Sequence, residues 1–170
     1  MILLLTGATH TGKTALAQRL LERYHYPYLS LDLLKMGLIR SGQTSLTPED
    51  EEELTEYLWP IVREQIKTAI ENGQHLIVEG CYIPFGWERD FEEAYLHEIR
   101  YVCLVMTRQY ITEHFDAIRR FASVIEDRRE DEGCTKDFLL RDNERRLQLC
   151  QEHGYPYPLI DNTYQVEFAL

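Results

Sequence analysis

The chain has 170 residues and a mass of 20.2 kDa, 44% of it hydrophobic and 28% charged. That balance suits one domain with a core of its own, needing neither disulfides nor a structural metal, and excludes disorder, collagen-like repeats and coiled coil for most of the length. The net charge of −11 has the wrong sign for a nonspecific nucleic-acid binder or a membrane-surface protein, and no apolar run approaches the roughly 18 residues of a membrane span.

Met1–Leu5 is apolar, but no basic stretch precedes it and it stops at Thr6-Gly7. It reads as a strand rather than a leader, and the cytoplasm is the expected compartment. The continuously apolar run Ile2–Thr6 suits a strand covered on both faces. A helix follows from Lys13 to about Tyr24, with Ala17, Leu20, Leu21 and Tyr24 on one side. Tyr28–Leu31 reads as a second strand and Leu33–Ile39 as a short helix stopped near Ser41-Gly42. Thr47-Pro48-Glu49-Asp50 has the composition of a helix start, with Thr47 as cap and Pro48 in the first turn. Leu54, Leu58, Ile61, Val62, Ile66, Ala69 and Ile70 then keep helical spacing. Pro60 is expected to kink the helix and Asn72-Gly73 to end it.

His75–Val78 is the third expected strand, Trp87–His97 a weaker helix and Arg100–Met106 the fourth strand. Ile111, Phe115, Ile118, Ala122 and Ile125 form an amphipathic stripe. The segment from Glu126 to Gly133 is almost wholly charged and reads as an exposed, mobile stretch. A helix from about Thr135 to His153, stopped by Gly154, leads to a fifth strand at Tyr157–Ile160. Strands alternating with helices imply a parallel sheet with helices on both faces. Cys81, Cys103, Cys134 and Cys150 form no CxxC pair, and no histidine stands at zinc-ligand spacing beside them. Reduced thiols are expected, and none of the six histidines takes a metal role on spacing.

Gly7-Ala8-Thr9-His10-Thr11-Gly12-Lys13-Thr14 satisfies G-x-x-x-x-G-K-[ST] directly after the first strand and at the start of the first helix. That is the structural context the pattern requires. Glycines allow the backbone to wrap an anion. The N–H groups of the loop, Gly7, His10, Thr11 and Gly12 among them, and the helix N-terminus then face phosphate. Lys13 reaches the β- and γ-phosphates and the Thr14 hydroxyl can ligate Mg²⁺. The pattern thus predicts binding of a nucleoside triphosphate, with ATP and Mg²⁺ expected. No N-K-x-D triphosphatase signature for GTP accompanies it.

Leu29-Ser30-Leu31-Asp32-Leu33-Leu34-Lys35 resembles the second-strand segment of adenylate kinases, Val78-Glu79-Gly80 their D-G after the third strand, and Arg146-Leu147 with Pro158-Leu159-Ile160 their tail. Over nearly its full length the sequence resembles the small P-loop kinases, a superfamily that includes adenylate kinase, shikimate kinase and the zeta-toxin-like phosphotransferases. The resemblance implies a three-layer α/β fold, a five-stranded parallel sheet ordered 2-3-1-4-5, and one domain over residues 1–170 with a lid around 119–133. It also implies an ATP- and Mg²⁺-dependent kinase acting on a small molecule. Cys81-Tyr82-Ile83-Pro84 stands where nucleotide kinases carry P-R, so the expected acceptor is a hydroxyl rather than AMP. An adenylate-kinase-like enzyme and an ATP-binding regulatory or toxin-like module remain the alternatives.

The resemblance distributes roles. Asp32 stands at the strand end that lines the crevice of an open α/β sheet and is placed to take the acceptor proton, or to cap the following helix. Glu79 takes the acidic place near Mg²⁺. Arg119, Arg120, Arg128 and Arg129 fall in the lid, where arginines neutralise the transferring phosphoryl group. On a continued helix Arg129 lies on the apolar stripe, Arg119 and Arg128 flank it, and Arg120 faces solvent. Lys35 and Arg40 are weaker acceptor-binding candidates. Arg141 and Arg145 could touch phosphate, or pair with neighbouring acids. Tyr57, Trp59, Tyr82, Phe85 and Trp87 are candidates to line an acceptor pocket, or else core residues. The partners expected are a small-molecule acceptor, and neither nucleic acid nor membrane.

Overall fold

The computed structural model describes residues 1–121 and 134–170. The elements run in the expected alternation. β1 (Ile2–Gly7), α1 (Lys13–Tyr24), β2 (Tyr28–Ser30) and α2 (Leu31–Arg40) are followed by α3 (Glu51–Glu71) and β3 (Leu76–Glu79). A single 3₁₀ turn at Trp87–Asp90 and α4 (Glu93–Leu96) precede β4 (Ile99–Met106), α5 (Arg108–Phe121), α6 (Lys136–His153) and β5 (Leu159–Ile160). The five strands form one parallel sheet in the order β2-β3-β1-β4-β5.

β1 is central because every one of its side chains is buried. Its residues alternate between two cores. Ile2 and Leu4 pack with Leu54, Leu58, Val62 and Ile66 of α3. Leu3 and Leu5 pack with Leu16 and Leu20 of α1 and Ile111 of α5. The register pairs Leu4 with Val78 on one side and Tyr101 on the other, so the carboxyl ends of β1, β2 and β3 lie at one sheet edge. The long helix α6 serves both cores, giving Leu139 to one and Cys150 to the other. Its buried Asn143 accepts from the Met106 N–H at 2.8 Å and donates to the Leu139 carbonyl at 2.8 Å. Both halves of that amide are therefore satisfied inside the protein.

Several local expectations are corrected. α3 starts at Glu51 with Asp50 as its cap residue, not at Pro48 with Thr47. The Asp50 carboxylate accepts from the N–H and hydroxyl of Thr47, at 2.7 and 3.0 Å. The Thr-Pro stretch therefore closes a turn ahead of the helix instead of beginning it. α3 continues through Pro60. Pro60 and Glu56 are both exposed, so the carbonyl that loses its helical partner faces water. The stretch 87–97 is a 3₁₀ turn and a single helical turn rather than one helix. Trp87 is buried there, and Asp90 accepts from the Trp59 indole N–H at 2.7 Å. α2 begins two residues earlier than its apolar pattern, so Asp32 lies in its first turn and Ser30 occupies the cap position. That removes the simple capping role for Asp32. α5 is interrupted at His114, whose φ of −119° and ψ of 17° leave the helical region. Ile111 and Ile118 are buried as expected, whereas Ala122, Ile125 and the charged segment 126–133 lie outside the described residues. Among the described residues no helix is long and apolar enough to cross a membrane.

Candidate active site

The loop between β1 and α1 is shaped by its own sequence. Gly7 has φ +151° and Gly12 φ +78°. A Cβ on Gly7 would collide with the backbone of Leu104 in β4, and one on Gly12 with the Tyr164 hydroxyl. Both positions therefore require glycine for conformation and for space. The buried Thr11 hydroxyl donates to the Ala8 carbonyl at 2.7 Å and braces the loop from within. Lys13 is 8% exposed. Its ammonium curls back over the loop and donates to the carbonyls of Ala8 (2.8 Å) and Gly7 (3.3 Å). His10 has φ +62°, and its Nδ1 lies 2.9 Å from the Thr9 hydroxyl and 3.8 Å from the Cys134 sulfur. From outside, the Tyr164 hydroxyl donates to the Thr11 carbonyl at 3.0 Å.

Two acidic groups reach this loop. The Thr14 hydroxyl donates to Glu79 Oε1 at 3.3 Å, which joins the start of α1 to the end of β3. A hydroxyl and a carboxylate beside a phosphate loop are the hard oxygen donors Mg²⁺ takes, the remaining places being filled by water and phosphate oxygens. Among the described residues no group of three or more His, Cys, Asp or Glu side chains gathers into a metal cage. The Thr14 hydroxyl and Glu79 carboxylate are donors of the kind that ion takes. The second acid is Asp142 of α6. Its Oδ2 accepts from the Thr9 N–H at 2.8 Å and its Oδ1 from Arg146 Nε at 3.1 Å. Burial penalises the Arg146 charge, but the acidic groups around it, Cys81 and Asp142 first, outweigh that penalty and hold its pKa above the usual arginine value. Arg146 is therefore a fixed cation beside the phosphate loop.

A cleft of about 650 Å³ opens over the loop, lined by Thr9, Lys13, Asp32, Lys35, Asp142 and Arg146 together with Cys81, Tyr82 and Phe138. Asp32 and Lys35 form an ion pair of 2.7 Å, and Lys35 also donates to the Tyr82 hydroxyl at 2.9 Å. Burial lowers the Lys35 pKa, but the Asp32 carboxylate more than offsets it and the net shift is upward. Burial raises the Tyr82 phenol. At neutral pH Lys35 thus stands as a cation against Asp32 in the cleft wall, with Tyr82 neutral.

The remaining sequence candidates divide. Arg40 is exposed at the end of α2, and Arg119 and Arg120 are exposed in the last turn of α5. None of the three lines the cleft. Arg128 and Arg129 lie outside the described residues. Arg141 lines neither this cleft nor its neighbour, while Arg145 lies at the rim of the neighbouring cavity. Tyr82 and Phe85 face that cavity, whereas Trp59 and Trp87 are core residues and Tyr57 bonds to the Gln43 carbonyl at 3.1 Å.

Asp142 and Arg146 were not singled out as a functional pair from the sequence, yet a signal for them exists. Leu139, Arg146 and Cys150 step by seven and four residues along one side of α6. Arg146 therefore sits on the helix's buried line, with Asp142 one turn before it.

A parallel sheet in this order, carrying a glycine-shaped loop between β1 and α1 at its carboxyl edge, defines the P-loop α/β fold. Among solved structures the chain is similar to a provisionally assigned kinase from Chloroflexus aurantiacus. They are 19% identical over 98% of this chain and 91% of that one, with a TM-score of 0.58. It is also similar to a sugar kinase from a Janibacter species, 17% identical over 94% of this chain and 84% of that one, with a TM-score of 0.52. The chain has the fold of these P-loop kinases. No protein-family model and no curated protein matches it.

Proposed function

We propose that the chain is a kinase that transfers the γ-phosphoryl group of ATP to a hydroxyl of a small molecule, with Mg²⁺ as cofactor. One observation carries the reading: Lys13 of the phosphate loop and Asp32 in the first turn of α2 line the same cleft. A phosphate donor and a proton acceptor can therefore act on one bound substrate.

In this reading the loop amides of Gly7 to Thr14 hold the β- and γ-phosphates, and Lys13 neutralises charge on them. Mg²⁺, held at Thr14 with Glu79 behind it, would neutralise phosphate charge when bound. Asp32 takes the acceptor hydroxyl proton as the new oxygen–phosphorus bond forms. The bond from the γ-phosphorus to the β,γ-bridging oxygen breaks, and ADP leaves with that electron pair. Lys35, paired with Asp32 at 2.7 Å, keeps that carboxylate aimed. Arg146 adds a cation beside the loop, and the arginines of a lid around 119–133, Arg119, Arg128 and Arg129, supply further charge neutralisation. The whole of residues 1–170 acts as one domain in the cytoplasm, without nucleic acid or membrane as partner.

An ADP-release assay with ATP, Mg²⁺ and panels of sugars, nucleosides, nucleotides and small acids tests the reading. Turnover with a hydroxyl compound is expected. Absence of Mg-ATP binding by calorimetry, even at millimolar nucleotide, would end it.

A further inference from the structure

The segment that follows β5 returns to α1 and the phosphate loop. The Thr107 hydroxyl donates to Asp161 at 2.9 Å. Val166 is buried, and Phe168 and Leu170 pack against the core that α1 covers. Arg19 of α1 donates to the Val166 carbonyl at 3.1 Å. These contacts hold the segment in place. Tyr164 lies among them, and its hydroxyl makes a contact that none of them requires. It donates to the Thr11 carbonyl at 3.0 Å and stands 3.5 Å from the Gly12 carbonyl.

Packing alone asks only for the ring of Tyr164. The hydroxyl is fitted to the loop from both sides. Any Cβ at position 12 would collide with it, so glycine there admits the contact as well as the turn. Burial raises the Tyr164 pKa, and the Arg19 guanidinium beside the phenol oxygen works against that without reversing it. At neutral pH the phenol therefore keeps its proton and can donate. Peptide geometry carries the effect across the loop. In a trans peptide unit the C=O and the N–H point in opposite directions. The Thr11 carbonyl shares its unit with the Gly12 N–H, and the Gly12 carbonyl with the Lys13 N–H. The Gly12 carbonyl also takes the helical bond from Leu16 at 2.9 Å, while the Lys13 N–H is one of the first-turn donors that α1 itself cannot satisfy. Holding both carbonyls on the Tyr164 side turns both N–H groups away from it. Tyr164 does not line the cleft that Lys13 lines, so it acts on the loop from outside that cleft.

We propose that Tyr164 is a positioning residue for the nucleotide: its hydroxyl fixes the Thr11–Gly12 and Gly12–Lys13 peptide units so that their N–H groups meet the phosphates of ATP. The proposal rests on the kinase reading above and adds to its site a side chain 153 residues beyond Thr11. Donors fixed before binding need no ordering when phosphate arrives. Without the hydroxyl the two peptide units must be ordered by the nucleotide, and the loss falls on its phosphates rather than on its base.

Tyr164→Phe keeps the ring, and with it the packing of the segment. Affinities of wild type and variant are measured for Mg-ATP, for Mg-tripolyphosphate, which carries the phosphates without the nucleoside, and for adenosine, which carries the nucleoside without phosphate. Displacement of a fluorescent ATP analogue reads all three, with melting temperatures alongside. Mg-ATP and Mg-tripolyphosphate are expected to weaken by the same factor, about three- to tenfold, the worth of one hydrogen bond, while adenosine holds its affinity. A lower melting temperature with all affinities unchanged would make Tyr164 a tether for its segment and overturn the proposal. So would a loss shared by Mg-ATP and adenosine but not by tripolyphosphate, which would set the hydroxyl against the nucleoside. Either result leaves the kinase reading standing. Failure of the wild type to bind Mg-ATP is the separate result that removes the kinase reading, and this proposal with it.

Discussion

The carboxylate of Asp142 accepts the backbone N–H of Thr9 at 2.8 Å. One side chain of α6, 133 residues away in sequence, thereby sets the entry to the phosphate loop, and its other oxygen holds Arg146 beside it.

Removing that tie leaves a loop amide without its partner and a largely buried guanidinium without its counter-charge. Asp142→Ala should cost about 2 kcal/mol, or roughly 4–8 °C in Tm for a chain of this size. Asp142→Asn keeps an acceptor for one of the two donors and should lose less than half as much. Thermal melting of the two variants checks the ranking. An unchanged Tm in Asp142→Ala would show that the tie contributes nothing.

Lys13→Ala removes a charge-assisted contact to the β- and γ-phosphates. On the usual worth of such a contact, ATP affinity should fall by roughly 10- to 150-fold. Titration of the variant with Mg-ATP, alongside circular dichroism to show that it folds, measures this. Wild-type affinity in a folded variant would remove Lys13 from phosphate binding.

Asp32→Asn preserves shape but cannot take a proton at neutral pH. If Asp32 activates a hydroxyl, kcat should drop on the order of 10²–10⁴ with ATP affinity intact. If the acceptor is a phosphate, already ionised, the loss falls on acceptor KM instead. The kcat-to-KM split on the identified acceptor decides between them. Because the cap position belongs to Ser30, a kcat loss in a variant that keeps its helix content cannot be ascribed to an uncapped α2.

Lys35 gives a pH signature. Its folded pKa is raised above the usual lysine value of 10.5, so the folded state holds the proton more tightly. The resulting stability is present in full below the unfolded pKa and is lost as pH rises through the folded one. Tyr82, also raised from 10.0, acts in the same direction. Urea midpoints of wild type and Lys35→Gln should therefore differ at pH 8–9 and draw together as pH rises past 10.5 and through the folded pKa. A gap that stays constant across that range would mean that the charged pair with Asp32 is not its source.

Much of the fold and one half of the site are legible in the sequence. The apolar run of β1, the glycine spacing from Gly7 to Gly12, Lys13 and Thr14 are all local. Strand propensity, positive-φ positions and the start of α1 are decided by residues a few places apart, so the phosphate loop can be read without a structure. The helical stripe through Leu54, Leu58, Val62 and Ile66 is legible for the same reason, since one face of α3 must be apolar to cover the sheet. The order of the five strands follows once the loop and the alternation of strand and helix mark out a P-loop kinase fold.

Only the tertiary structure decided what stands opposite the loop. That Asp142 rather than Arg141 or Arg145 meets Thr9 depends on the rotation of α6 against β4, which the buried amide of Asn143 fixes. That Lys35 turns to Asp32 and Tyr82 instead of to solvent depends on β2 and β3 ending side by side. Charged side chains carry no local rule telling a solvated face from a cleft wall. The pairs Asp32–Lys35 and Asp142–Arg146 are three and four residues apart on one helix and can be read as spacing, but what they face, the Tyr82 hydroxyl and the Thr9 N–H, comes from other elements, so the sequence leaves open which pairs line the site.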